Sequence, residues 1–332
     1  MTSQNQPTRT LPIRPRRNRH SSGIRALVRE TTLSPDDLLL PVFFHADDGD
    51  VPLLSMPGTT RWSIQGLVDQ VKRATALGVR GVVLFPKIED SLKSSDGAEC
   101  ANPGGLVPQA ITAIKDAHPD VLVVTDVALD PYSSDGHDGI LGPDGRVMND
   151  PTVDMLTRQA LCHATAGADI IAPSDMMDGR VGAIRDGLDD DGFQTTAIMA
   201  YTAKYASAFY GPFRGALDSA PKDGDKKGYQ MDPGNTREAV REYQLDVAEG
   251  ADAVMVKPAG PYLDVVRRLA EISVVPVAAY QVSGEYLMIK AAAAGGWLDE
   301  DAVVLETLMG IKRAGADIIL TYFAMQMAEQ LQ

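Results

Sequence analysis

The sequence predicts one (β/α)8 TIM barrel with an extended N-terminal arm, the arm over residues 1–34 and the barrel over 35–332. Three observations point there. The chain has 332 residues, long for an ordinary domain but normal for an α/β barrel with insertions. One phrase recurs: AGADIIAPS (166–174), EGADAVMVKP (249–258) and AGADIILTYF (314–323) each read Gly-Ala-Asp and then an apolar run, with LGVRGVVLFP (77–86) as a looser version. About eight strand-like runs alternate with helix-like segments. Such alternation favours a closed barrel over an open doubly wound sheet. No GxGxxG follows the first run, so dinucleotide binding has no support.

The repeated phrase has one physical reading. A helix ends at a glycine that accepts the left-handed conformation, a short loop turns, and a buried parallel strand begins as a near-continuous apolar run. In chain order the strands are expected at 38–44, 81–86, 121–127, 169–174, 196–201, 253–258, 275–282 and 317–323. Helix-like segments lie between them, among them 62–77, 107–118, 152–167, 235–249, 261–272 and 300–314. Asp150-Pro151-Thr152 and Asp232-Pro233-Gly234-Asn235 are helix-start signals. Two connections, 86–105 and 211–234, are too long for simple turns. The second follows the fifth barrel strand, on the face where barrels place their sites, and reads as a lid.

Composition narrows the class. Hydrophobic content of 44% and charged content of 23% are those of a soluble globular protein. No run reaches the roughly 18 apolar residues of a membrane span, so no membrane partner is expected. Arg9, Arg14, Arg16, Arg17, Arg19, Arg25 and Arg29 face Glu30 alone in residues 1–30, so the remainder is more acidic than the whole-chain −14. A body this acidic argues against general nucleic-acid binding. The basic, proline-containing arm suits an extended segment packed on an acidic neighbour; contact with RNA or anionic lipid is the alternative. The first residues have no apolar core and so no secretory signal, while a short basic transit segment stays open. Cys100 and Cys162 give no disulfide framework, and a reducing cytoplasm is the expected location.

Polar residues at the C-terminal ends of barrel strands should converge. These are Asp126, Ser174-Asp175, Lys204 three residues past the fifth strand, Lys257, Ser283 and Tyr322. Lys257 stands out because it interrupts the apolar run VMVKP. A buried lysine loses its proton readily, and a neutral amine attacks ketones to form a Schiff base. The competing readings are a lysine paired with a carboxylate or binding phosphate. Lys204 could be an ordinary first-turn helix residue, but a second ammonium beside Lys257 would favour the neutral amine. The loop 126–139 carries Asp126, Asp130, Asp135, His137 and Asp138, a set that suits a hard cation such as Mg2+ or is a solvated polar loop. No cysteine lies there, so a thiolate zinc site is not expected. Arg214, Lys226 and Lys227 on the lid could clamp a carboxylate or be solvated charge.

These residues resemble a known family. GADAVMVKPAGPY (250–262) is similar to the signature of porphobilinogen synthase, also called δ-aminolevulinic acid dehydratase. RWSIQGLVDQV, APSDMMDGRVGAIR, YTAKYASAFYGPFR, GYQMDPGNTREAVRE, AAYQVSGEY and IKRAGADIILTYF look like further family blocks, and the resemblance runs from about Arg16 to the C-terminus. It implies a lyase of tetrapyrrole (haem) biosynthesis that condenses two 5-aminolevulinate molecules to porphobilinogen with loss of two waters. It implies a homo-octamer whose arms wrap neighbouring subunits. By matching motif, Lys257 holds the substrate that becomes the propionate side and Lys204 the one on the acetate side. Ser283 and Tyr322 bind the first carboxylate, and Arg214, Lys226 and Gln230 the second.

One departure matters. Many family members carry three cysteines for zinc after the third strand, where this chain resembles the aspartate-rich branch with Ala128, Asp130 and Asp138. The resemblance thus implies no catalytic zinc, an active-site Mg2+ at Asp130 and Asp138 as an open alternative, and an allosteric Mg2+ at Glu242. Two other functions compete: a one-lysine Schiff-base barrel such as a class I aldolase, and a non-catalytic barrel serving assembly.

Overall fold

The computed structural model describes residues 11–217 and 221–332, without the side chain of Arg214. The chain divides into two units, the first ending at Thr32 and the second spanning Leu33–Gln332. In the first, α1 (Ser22–Leu27) follows a 3-10 turn at Pro15–Arg19, and Ser21 caps it by accepting the Ile24 N–H at 3.3 Å.

The second unit runs β1 (Leu38–Phe44), β2 (Val51–Pro52), β3 (Thr60–Trp62), α2 (Ile64–Ala76), β4 (Gly81–Pro86), α3 (Leu106–Ala117), β5 (Leu122–Val127), α4 (Asn149–Thr165) and β6 (Ile170–Pro173). It continues through α5 (Arg180–Asp190), β7 (Ala197–Lys204), α6 (Gly211–Leu217), α7 (Arg237–Ala248), β8 (Ala253–Lys257) and α8 (Leu263–Ala270). It ends with β9 (Val277–Gln281), α9 (Ser283–Ala294), α10 (Glu300–Ala314), β10 (Ile318–Thr321) and α11 (Ala324–Gln330). β1 and β4 to β10 pair in parallel in that order, and β10 closes on β1 through Ile319 opposite Leu38 and Leu320 opposite Leu39. The sheet is therefore the predicted eight-stranded barrel. β2 and β3 form a small antiparallel pair at the end of β1.

Two recurring letters of the repeated phrase, its glycine and its aspartate, have structural roles. Gly78, Gly167, Gly250 and Gly315 all have positive φ (92, 106, 103 and 117°), where a side chain would be strained. The aspartates tie adjacent strands together. Asp169, Asp252 and Asp317 each donate a backbone N–H to the carbonyl of Val123, Ile198 and Val277, at 3.0, 2.9 and 2.7 Å. Each carboxylate then accepts the N–H of that same residue, at 2.8, 2.8 and 2.9 Å. One residue type thus satisfies an N–H in the first two residues of the preceding strand, fixing the register at the bottom of the barrel.

The structure corrects several boundaries. β7 runs through Lys204, so this lysine lies on the strand and not past it. Tyr322 lies one residue beyond β10. Part of the expected lid is helical, as α6. α5, α9 and α11 are not among the segments named from the sequence. α5 was hidden by its glycines; a Cβ on Gly187 would lie 2.8 Å from Thr157 Cγ2, so glycine there lets α5 close on α4. α9 was hidden by the apolar stretch LMIKAAAA, which has little helical polarity to detect.

Candidate active site

The C-terminal ends of β5, β6, β7 and β8 deliver Asp126, Ser174, Lys204 and Lys257 to one buried point. Lys204 and Lys257 stand directly opposite each other in the ladder. The loop after β5 adds Asp130 and Asp138, and the segment after β7 adds Tyr210, Phe213, Lys226 and Gln230. Together these ten residues line a cavity of about 30 Å³. Larger cavities exist, such as one of about 560 Å³ between α3 and α4, but no pair of amines converges on it.

The two amines have different surroundings. Lys204 Nζ donates to Asp138 Oδ2 at 2.9 Å and to the Ser174 carbonyl. Asp138 also accepts from Lys226 Nζ at 2.6 Å and Gln230 Nε2 at 3.2 Å. Burial alone would raise the Asp138 pKa, but Lys204 and Lys226 hold it well below the usual carboxylate range. Lys257 Nζ makes no hydrogen bond or ion pair among the described residues. It sits 4.7 to 5.3 Å from the ring centres of Tyr280, Tyr201, Phe213 and Tyr210. Burial, and then the nearby Lys204 charge, push its pKa down to about 7, against the pull of Asp126, Asp130 and Asp138. Asp126 is pushed up to about 6 by burial, against the pull of Lys257 and Lys204, and accepts from Ser174 Oγ at 3.1 Å.

The remaining predicted residues divide between the two amines. Tyr322 shares a 2.9 Å hydroxyl contact with Tyr280, which flanks Lys257. Ser283 Oγ accepts the N–H of Phe213, another ring beside Lys257, at 3.1 Å. Lys226 and Gln230 gather instead at Asp138, the partner of Lys204. Arg214's side chain lies outside the described residues. Lys227 is not brought in; it is exposed and 3.6 Å from Asp225. Asp175 turns away to Arg180, 3.5 Å distant. Sequence reasoning missed the aromatic cage, although Tyr201 and Tyr280 at strand ends were visible signals. It also missed Tyr229, whose hydroxyl meets both His137 Nδ1 and the Asp138 N–H at 3.2 Å.

Glu242 lies elsewhere, on α7. It lines a cavity of about 930 Å³ with Asp178, Asp223, Asp225 and Glu238. Burial and the like charges of Asp246, Asp178 and Glu238 push its pKa up to about 7, with Arg180 opposing. The alternative of a Mg2+ at Asp130 and Asp138 meets an occupied site: both Asp138 oxygens hold ammonium or amide donors, and Lys226 is 3.5 Å from Asp130. A cation there would meet two positive charges. Among the described residues, no group of three or more His, Cys, Asp or Glu side chains is placed to hold a metal.

Residues 12–330 match the sequence profile of the family described as Delta-aminolevulinic acid dehydratase. The chain belongs to the delta-aminolevulinic acid dehydratase family. It is 60% identical over 323 residues to a chloroplastic delta-aminolevulinic acid dehydratase of Physcomitrium patens, covering 97% of this chain and 74% of that one. It is 58% identical over 320 residues to chloroplastic delta-aminolevulinic acid dehydratase 1 of Arabidopsis thaliana, covering 96% and 74%. In structure it is similar to the delta-aminolevulinic acid dehydratase (porphobilinogen synthase) of Toxoplasma gondii, crystallised with the product porphobilinogen. That match has a TM-score of 0.96 at 52% identity, over 97% of this chain and 92% of that one. The names count against the cytoplasmic expectation, since these plant relatives are named chloroplastic. Cys100 and Cys162 are both free, which does not single out the cytoplasm.

Proposed function

We propose that this dehydratase condenses two 5-aminolevulinate molecules to porphobilinogen with loss of two waters, through Schiff bases on Lys257 and Lys204. The observation that carries the reading is the pair of amines opposed in one ladder, one of them caged by rings and pushed toward neutrality. Each amine adds to a substrate ketone, and each ketone oxygen leaves as water. Lys257 takes the substrate of the propionate side, with Ser283 and Tyr322 near its carboxylate. Lys204 takes the other, with Arg214, Lys226 and Gln230 as the second anion clamp. Asp126, held near neutrality between the amines, is suited to accept and return protons. Borohydride reduction with 5-aminolevulinate, followed by peptide mapping, should find adducts on Lys257 and Lys204. No adduct and no porphobilinogen would sink the reading.

For the metal, the acidic cavity at Glu242 fits a hydrated Mg2+ held by a single carboxylate and its waters, which is how this ion is commonly bound. Its contribution there would be allosteric and distant from the amines. No catalytic zinc is proposed, because the loop after β5 presents carboxylates and Ala128 where thiolates would be needed. After chelation, Mg2+ should restore or stimulate activity, and Glu242→Ala should abolish that response. Activity returning only with Zn2+ would refute this assignment. The assembly we propose is the octamer, with arms packed on neighbouring subunits; native mass spectrometry tests it.

A further inference from the structure

Side chains along a β-strand alternate between its two faces. β7 breaks that alternation at the site. Tyr201 faces inward, its ring centre 5.0 Å from Lys257 Nζ, and Lys204 three residues later also faces inward, to Asp138. An odd spacing on one face requires an extra residue, and β7 has it. Ala200 stands opposite Val254 and Ala203 opposite Val256, so Tyr201 and Thr202 together oppose Met255. Beyond this bulge Lys204 meets Lys257 in register. In an unbulged strand, Lys204 would point out toward the helices.

The bulge is held from outside the barrel by buried charge. Thr202 Oγ1 donates to Asp246 Oδ2 at 2.7 Å. Arg180 Nη2 donates to the Tyr201 carbonyl at 3.2 Å, and its Nη1 donates to Asp246 Oδ1 at 3.3 Å. Thr202, Asp246 and Arg180 are each at most 2% exposed. A buried ion pair is a costly way to pack a strand against helices, and apolar side chains commonly do as well or better. Its contacts fall on the two extra-register residues, and that placement points to specificity of backbone conformation as its use.

We propose that Thr202, Asp246 and Arg180 are positioning residues that lock the β7 bulge and so aim Lys204 at its substrate ketone. This rests on the two-lysine reading above. The test is borohydride trapping with 5-aminolevulinate and peptide mapping on the full-length enzyme, alongside steady-state kinetics. Thr202→Val removes the hydroxyl and keeps the shape; Thr202→Ser keeps the hydroxyl. Thr202→Val should keep the Lys257 adduct but lower the Lys204 adduct and kcat about 10–100-fold, as expected for a misplaced reacting group, with KM changed far less. Thr202→Ser should restore both. Asp246→Asn should act like Thr202→Val. Wild-type Lys204 labelling and kcat in both Thr202→Val and Asp246→Asn overturn the proposal, as does parallel loss at both lysines, which marks a general structural defect. A wild-type enzyme that never labels Lys204 overturns the two-lysine reading itself.

Discussion

Lys257 and Lys204 end neighbouring strands, face each other in one ladder and are equally buried, yet one is surrounded by rings and the other by oxygen. Lys257 has four aromatic faces and no hydrogen-bond acceptor among the described residues. Lys204 has the Asp138 carboxylate and the Ser174 carbonyl. An amine is nucleophilic only when neutral, and Lys257, buried and denied acceptors, has its pKa pushed down to about 7. The difference also couples the pair. The charge on Lys204 is the next cause, after burial, of the lowered Lys257 pKa. Lys257 is thus prepared before substrate arrives, whereas Lys204 must first leave Asp138.

The largest effects should come from removing either amine. Lys257→Ala and Lys204→Ala should each lower porphobilinogen turnover by roughly 10⁴–10⁶-fold, the scale seen when a covalent catalyst is deleted. Trapping then separates them. Lys204→Ala should still form the Lys257 adduct with 5-aminolevulinate, because Lys257 needs no acceptor to be ready. A Lys204→Ala enzyme with full turnover would break the comparison and leave a one-lysine barrel.

A smaller effect should follow from wetting the cage. Phe213→Ser opens one wall of the Lys257 pocket, so its pKa should rise from about 7 toward the ordinary 10.5. The neutral fraction at a given pH then falls, and the acid limb of the pH–rate profile moves to higher pH. Each unit of movement costs about tenfold in rate at pH 7. Adduct formation followed against pH reads the limb directly; an unmoved limb means the rings do not set this pKa.

How much of this was legible in the sequence follows from the range of each interaction. The barrel was legible because its signals are local: an apolar run, then a helix, then a left-handed glycine at Gly167, Gly250 and Gly315. Lys257 was legible because a charge inside VMVKP violates its own strand's composition. Lys204 was legible only beside Lys257 and through the family resemblance; its place on the strand was not, because the bulge that turns it inward contacts Arg180 and Asp246, 24 and 42 residues away along the sequence. The partners of Asp138 were not legible for the same reason. Aspartates close in sequence at 126–139 suggested a cation, but the lysines that occupy Asp138 come from β7 and from the segment near 226. Spacing reports which groups are near along the chain and is silent on what the fold brings to them.

The subtlest prediction concerns stability, where the two lysines should act with opposite sign. Folded Lys257 has its pKa pushed down to about 7 from 10.5, so between these values the unfolded chain holds a proton there that the folded chain does not. Stability contributed at this position therefore rises with pH through that window, and the penalty for burying the amine is fully present below about pH 7. Lys257→Met removes the penalty. It should raise the melting temperature by about 2–4 °C for each kcal/mol recovered, more at pH 6 than at pH 10. Lys204→Met should lower the melting temperature. It strips one donor from buried Asp138, which keeps Lys226 and Gln230, so the cost should be about 1–3 kcal/mol. Melting curves of both variants across pH 6 to 10 would decide it. Two variants shifting in the same direction would mean that the ring cage and the carboxylate pocket hold their amines alike, and the division of labour between the lysines would have to be argued from substrate contacts alone.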